Sequence, residues 1–113
     1  MEQYTNDLNE LMELLRAGVS PLHTIRYSME LLESRGFTEL KLDEPWSIEA
    51  GKGYFVNAFD TTLVGFTVGE DAENHPKFRI ASSHTDWPCL MVKPSPEIAS
   101  EGYAKLNVAV YGG

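Results

Sequence analysis

A chain of 113 residues is one domain or part of one, since compact domains cluster at roughly 100–150 residues. Its hydrophobic share of 42% and charged share of 23% match ordinary globular usage and exclude a disordered or fibrous composition. With 17 acidic against 9 basic side chains the formal net charge is −8, a field that repels phosphate backbones and anionic lipid and argues against nucleic acid or membrane as a partner.

The start Met1-Glu2-Gln3 has no basic residues leading into an apolar run, so no secretory signal is expected. No apolar stretch nears the roughly 20 residues that span a bilayer, and a cytoplasmic setting is the expectation. Leu8, Leu11, Met12 and Leu15 recur at helical spacing, which predicts an amphipathic helix over about 5–17 that stops near Gly18. Ser20-Pro21 reads as an N-cap followed by a first-turn proline: the hydroxyl accepts from an orphan amide, and proline has no amide to orphan. Leu22, Ile25, Met29 and Leu32 then form one face of a second helix over 21–35, with Gly36 as its left-handed stop.

From Lys41 the period shortens, and turn residues separate β-rich runs. Tyr54-Phe55-Val56 and Leu63 through Val68 flank the Asp60 turn and predict an antiparallel hairpin. Phe78 to Ser82 alternates and predicts a buried strand that stops at His84, and Leu106 to Tyr111 predicts a last strand running into Gly112-Gly113. The fold class expected is α+β, two helices followed by about five or six strands, with no internal repeat or linker. A strand that ends on a double glycine reads as a sheet still unfinished, whose open edge invites pairing with another copy.

Chemistry concentrates in Ser82-Ser83-His84-Thr85-Asp86-Trp87-Pro88. A strand ending there would project His84 and Asp86 into the crevice where such folds place ligands, with the imidazole available to a divalent metal and the carboxylate to orient it. A bare His-x-Asp is by itself an unspecific signal, and a turn-capping or surface role competes with it. His23, in the first turn of a helix, reads as exposed or bonded to backbone, and His75, in the polar loop around Asp71, Glu73 and Asn74, as solvated. Gly51-Lys52-Gly53 lacks the spacing of a phosphate loop and is a turn, and Glu70, Asp71 and Glu73 lack the pattern of a calcium loop. The lone Cys89 excludes an intrachain disulfide and a multi-cysteine zinc ribbon, and reads as a small buried hydrophobe.

The run from His84-Thr85-Asp86 through Pro88, Leu90 and Lys93-Pro94 resembles the His-Thr-Asp-Ser-Pro, Leu, Lys-Pro signature of the aspartyl aminopeptidases. Ser20-Pro21-Leu22-His23, Gly36-Phe37, Leu40, Trp46, Gly51, Tyr54-Phe55-Val56 and the stretch Leu63 to Gly69 fall in the family's order before it, and Gly102-Tyr103, Leu106-Asn107-Val108 and Val110 to Gly113 after it. The resemblance implies the start of the α/β/α catalytic domain of a co-catalytic aminopeptidase that holds two zinc ions and removes N-terminal, typically acidic, residues from peptides. It also implies that His84 is a zinc ligand and Asp86 a supporting catalytic carboxylate, and that the family assembles into oligomers. The family's other metal ligands and its general-base glutamate follow the position at which this sequence stops. Residues 1–113 are therefore expected to be a single incomplete domain, self-associating and inactive alone, since a catalytic zinc needs three protein ligands and a base. Trp87 departs from the family pattern, which has serine there, and reads as a packing residue. Two other readings of the residues stay open: a non-catalytic interaction or regulatory module that keeps the fold, and an unrelated small α+β enzyme or binding domain.

Overall fold

Helix α1 covers Glu2–Ala17 and α2 Pro21–Ser34, followed by strands β1 (Thr38–Glu39), β2 (Gly53–Ala58), β3 (Thr62–Thr67), β4 (Cys89–Ser100) and β5 (Tyr103–Tyr111). This computed structural model describes residues 2–75 and 77–112; Pro76 and Gly113, the second of the expected terminal glycines, lie outside the described residues. The class is α+β, with two helices preceding the strands.

The helical hairpin forms for the reasons the sequence suggests. Ser20 is extended and its hydroxyl accepts from the His23 amide, Pro21 opens α2, and Gly36, at a φ of 81°, ends it. Arg35 donates to both carboxylate oxygens of Glu10 at 2.6 Å, and Tyr27 donates to Glu13, so polar contacts tie α2 back to α1. The apolar stripe of α1 finds less cover than its periodicity suggests: Leu8, Leu11, Met12 and Leu15 are all exposed, because α1 packs on α2 and on no strand.

The core lies in the small sheet of order β1-β2-β3. β2 and β3 pair antiparallel, Phe55 opposite Gly65 and Tyr54 opposite Phe66, around the Asp60 turn, as expected. In that turn Phe59 and Asp60 both take positive φ, and Asn57 and Asp60 bond each other through two hydrogen bonds. β1 adds in parallel to β2. Alternation sends Phe55 and Gly65 toward α2, whose Leu32 lies over Gly65, while Tyr54 and Val56 face the opposite way. On that second face Leu40, Tyr54 and Val56 form the buried cluster, extended by Phe66 and Val68. The segment after β1 folds over it, with the Trp46 indole N–H donating to the Lys41 carbonyl and its ring stacked toward Phe66.

β4 and β5 form a separate antiparallel ribbon that, among the described residues, packs on no other element. Its two-residue turn is Glu101-Gly102, both at positive φ, the geometry that suits right-twisted strands. Pairing slips between Val92 and Glu97, where Pro94 and Pro96, with no amide to donate, sit in the irregular stretch. Three expectations are corrected here. Phe78 to Ser82 forms no strand and is not buried: among the described residues no neighbour supplies a ladder, and Phe78 and Ile80 are 86% and 89% exposed. The last strand begins at Tyr103 and not at Leu106, because the Glu101-Gly102 turn sets its start. Cys89 is exposed, since it opens a strand that nothing covers.

Candidate functional site

His84 and Asp86 lie in the loop that leads into β4, not at the end of a buried strand as the alternation upstream suggested. The loop nevertheless brings them together. His84 Nδ1 sits 2.9 Å from the Asp86 carbonyl oxygen and 3.1 Å from Asp86 Oδ1. Both neighbours are acceptors, so the neutral ring carries its proton on Nδ1 and leaves the Nε2 lone pair free. This is the tautomer that a metal-bound imidazole needs when a carboxylate holds its other nitrogen. The exposures differ accordingly: the His84 side chain is 80% open and that of Asp86 33%.

His84, Asp86, Pro88 and Gly112 line one shallow depression of about 220 Å³. Gly112, at the end of β5, has a φ of 107°, and a Cβ there would lie 2.8 Å from the Pro88 Cα, so only glycine lets the strand end come this close to the loop. The loop is also tied from below, where the Thr85 hydroxyl donates to the Thr61 carbonyl in the β2–β3 turn at 3.1 Å. Neither Thr61 nor Gly112 stood out as part of the site in the sequence: a backbone carbonyl leaves no residue signature, and a glycine after a strand reads as a turn. Trp87, expected to be a packing residue, is instead 43% exposed, with its indole nitrogen lying close to Gly18 at the end of α1.

The donor set fits one position of a zinc shell and does not complete it. His84 offers a free ring nitrogen and Asp86 the carboxylate behind it, but among the described residues no group of three or more His, Cys, Asp or Glu side chains is placed to hold a metal. The other histidines lie elsewhere and are occupied. The His23 ring nitrogen meets the Ser20 hydroxyl at 2.7 Å. His75, read from the sequence as solvated, is exposed yet meets Asp71 Oδ2 at 2.6 Å, and Asn74 donates to the other oxygen of the same carboxylate. These two contacts, Asn74 first and His75 second, hold the Asp71 carboxyl below its ordinary range. No helix among the described residues is long and apolar enough to cross a membrane.

Comparison with known proteins agrees with the signature. The profile of the family described as aminopeptidase I zinc metalloprotease (M18) matches residues 14–113. A probable M18 family aminopeptidase 2 of Clostridium novyi (strain NT) is 40% identical over 106 residues, covering 93% of this chain and 24% of the relative. One of the same description from Pseudomonas paraeruginosa (strain DSM 24068 / PA7) is 39% identical over 108 residues, 95% of this chain and 25% of the relative. Among solved structures, a chain from a cryo-EM structure of the Ape4 and Nbr1 complex superposes with a TM-score of 0.81 at 30% identity, over 92% of this chain and 20% of that one. The chain thus spans about a quarter of the length of the curated relatives it matches. On the family match over most of its length, and on the match to those relatives, the chain belongs to the M18 aminopeptidase family of zinc metalloproteases.

Proposed function

We propose that residues 1–113 form part of one metallopeptidase catalytic domain, and that they supply His84 as a ligand of a two-zinc site and Asp86 as the carboxylate that orients it. The reaction is removal of N-terminal residues, acidic ones by preference, from peptides in the cytoplasm. One observation carries the reading. Asp86 accepts the hydrogen bond from His84 Nδ1–H and leaves Nε2 free, the arrangement by which a protein presents imidazole to a metal. Bound zinc in such a site lowers the pKa of its water and polarises the peptide carbonyl, and this chain's part is to present one nitrogen and keep its ring from turning. Because the described residues place no full shell together, the chain binds zinc weakly and hydrolyses no aminoacyl substrate by itself.

The test is a zinc titration followed by ¹⁵N NMR of the histidine rings. Zinc should move His84 Nε2 before any nitrogen of His23 or His75, and His84→Ala should abolish the first binding event. Saturation of His75 with Asp71 ahead of His84 would refute the assignment. Tight binding that survives His84→Ala would point to a different site and favour a non-catalytic role.

A further inference from the structure

The signature loop has no rigid element beside it. Residues 77–83 upstream form no ladder, and β4 downstream belongs to a ribbon that packs only on itself. Yet the His84–Asp86 geometry needs the loop to hold one shape, so its fixed points are the contacts it makes with the rest of the chain. One is the Thr85 hydroxyl on the Thr61 carbonyl. A second is the close approach of Pro88 to Gly112 at the end of β5, and a third lies at Gly18 between the helices. Gly18 is buried, and a Cβ built on it would lie 3.0 Å from the Leu14 carbonyl oxygen, 3.0 Å from Thr24 Oγ1 and 3.3 Å from Trp87 Nε1. The position is walled on three sides, and the indole is the third wall.

We infer that Trp87 and Gly18 form a latch that holds the His84–Asp86 loop against the helical hairpin, making Trp87 a positioning residue for the metal ligand. The inference deepens the zinc-site reading and rests on it for its purpose. The three walls are not equally firm. The Leu14 carbonyl accepts from the Gly18 amide at 2.8 Å and belongs to α1, and Thr24 Oγ1 is held by the Ser20 carbonyl at 3.1 Å. Trp87 is a long side chain on an irregular segment, so a methyl group at position 18 displaces the indole first. Gly18→Ala and Trp87→Ser should therefore act on His84 through the same contact, although they stand on different elements.

Two readouts on the whole 113-residue chain separate the latch from the zinc reading. The first needs no metal. At a pH where the ring is neutral, ¹⁵N shifts should show His84 with Nδ1 protonated in the wild type, and in both Gly18→Ala and Trp87→Ser a shift toward a mixture of tautomers. The Trp87 indole signal, assigned in a Trp46→Phe background, should move in Gly18→Ala, and adding Gly18→Ala to Trp87→Ser should change His84 no further. The second is zinc affinity at His84, expected to fall by about tenfold in either variant, the lower end of what losing a ligand's support costs. Thr85→Val, which leaves the helices untouched, serves as the control for the tether to Thr61, and far-UV circular dichroism establishes that each variant is folded. Unchanged His84 tautomers in folded Gly18→Ala and Trp87→Ser overturn the latch, whatever zinc does. Tautomers that change as described while zinc ignores His84 even in the wild type uphold the latch and sink the zinc reading instead.

Discussion

At the scale of single residues, the structure separates two histidine–aspartate pairs that look alike in sequence. His84 and Asp86 sit two apart in a loop, and the backbone carbonyl of Asp86 shares the ring proton with its carboxylate. His75 and Asp71 sit four apart, and there Asn74 serves the second carboxylate oxygen. With both oxygens engaged, Asp71 has its bonding satisfied locally, and the pair reads as a loop clasp. Its pKa is lowered, by the Asn74 hydrogen bond first and the His75 bond second. A carboxyl lowered in the folded state contributes stability above its ordinary value, and that contribution is lost as pH falls through the lowered one. Titrating the Asp71 carboxyl carbon by NMR should thus give a midpoint below the usual carboxylate range. Asn74→Ala should raise it more than His75→Ala does, and the reverse order would show that the histidine, not the amide, holds the charge.

Among elements, legibility followed local chemistry. Both helices, the Ser20 cap, the Gly36 stop and the β2–β3 hairpin were readable because each is specified by residues within a few positions of one another. The β4–β5 ribbon was not read as a pair. Pro94 and Pro96 interrupt β4, and they fall where the register slips outside regular pairing. The failure at Phe78 to Ser82 has the opposite cause: alternation there is a property of one segment, whereas a strand needs a second. For the site, the His84–Asp86 spacing was visible, while Gly18, Thr61 and Gly112 come to it from distant parts of the chain and carried no local mark. The same contrast predicts unequal stability. β2 is buried under α2 on one face and the Trp46 segment on the other, whereas a two-stranded ribbon with both faces open is marginal in water. Amide exchange in Phe55 and Val56 should be slower than in Met91 and Val108 by about a hundredfold or more, the span between global and local opening. Equal protection in the two sheets would mean that the ribbon is covered in solution.

For the molecule as a whole, the surface is too large for its mass. A compact monomer of 12.6 kDa exposes roughly 6,200 Å² and has a radius of gyration of about 13 Å by the usual scaling. This chain exposes 9588 Å² with a radius of gyration of 19.7 Å. Much of the excess is apolar: Leu90, Val92 and Val110 are exposed on one face of the ribbon, and Leu8, Leu11, Met12 and Leu15 along α1. Apolar patches beyond a few hundred Å² rarely stay bare on a monomer, so self-association is the expected behaviour. Charge opposes it, since copies carrying −8 repel one another. The two effects respond differently to salt, because screening weakens the repulsion within a Debye length of about 10 Å at 0.1 M and leaves apolar burial intact. Sedimentation velocity should therefore find a larger associated fraction at 0.5 M than at 0.05 M sodium chloride. Leu90→Lys with Val110→Lys, which places charge at two paired positions of the open face, should return the chain toward monomer at both concentrations. Association that weakens with salt would make ion pairs, not the apolar faces, the contact between copies. A monomer at every concentration would show that the exposed faces are too small or too mobile to hold two copies together.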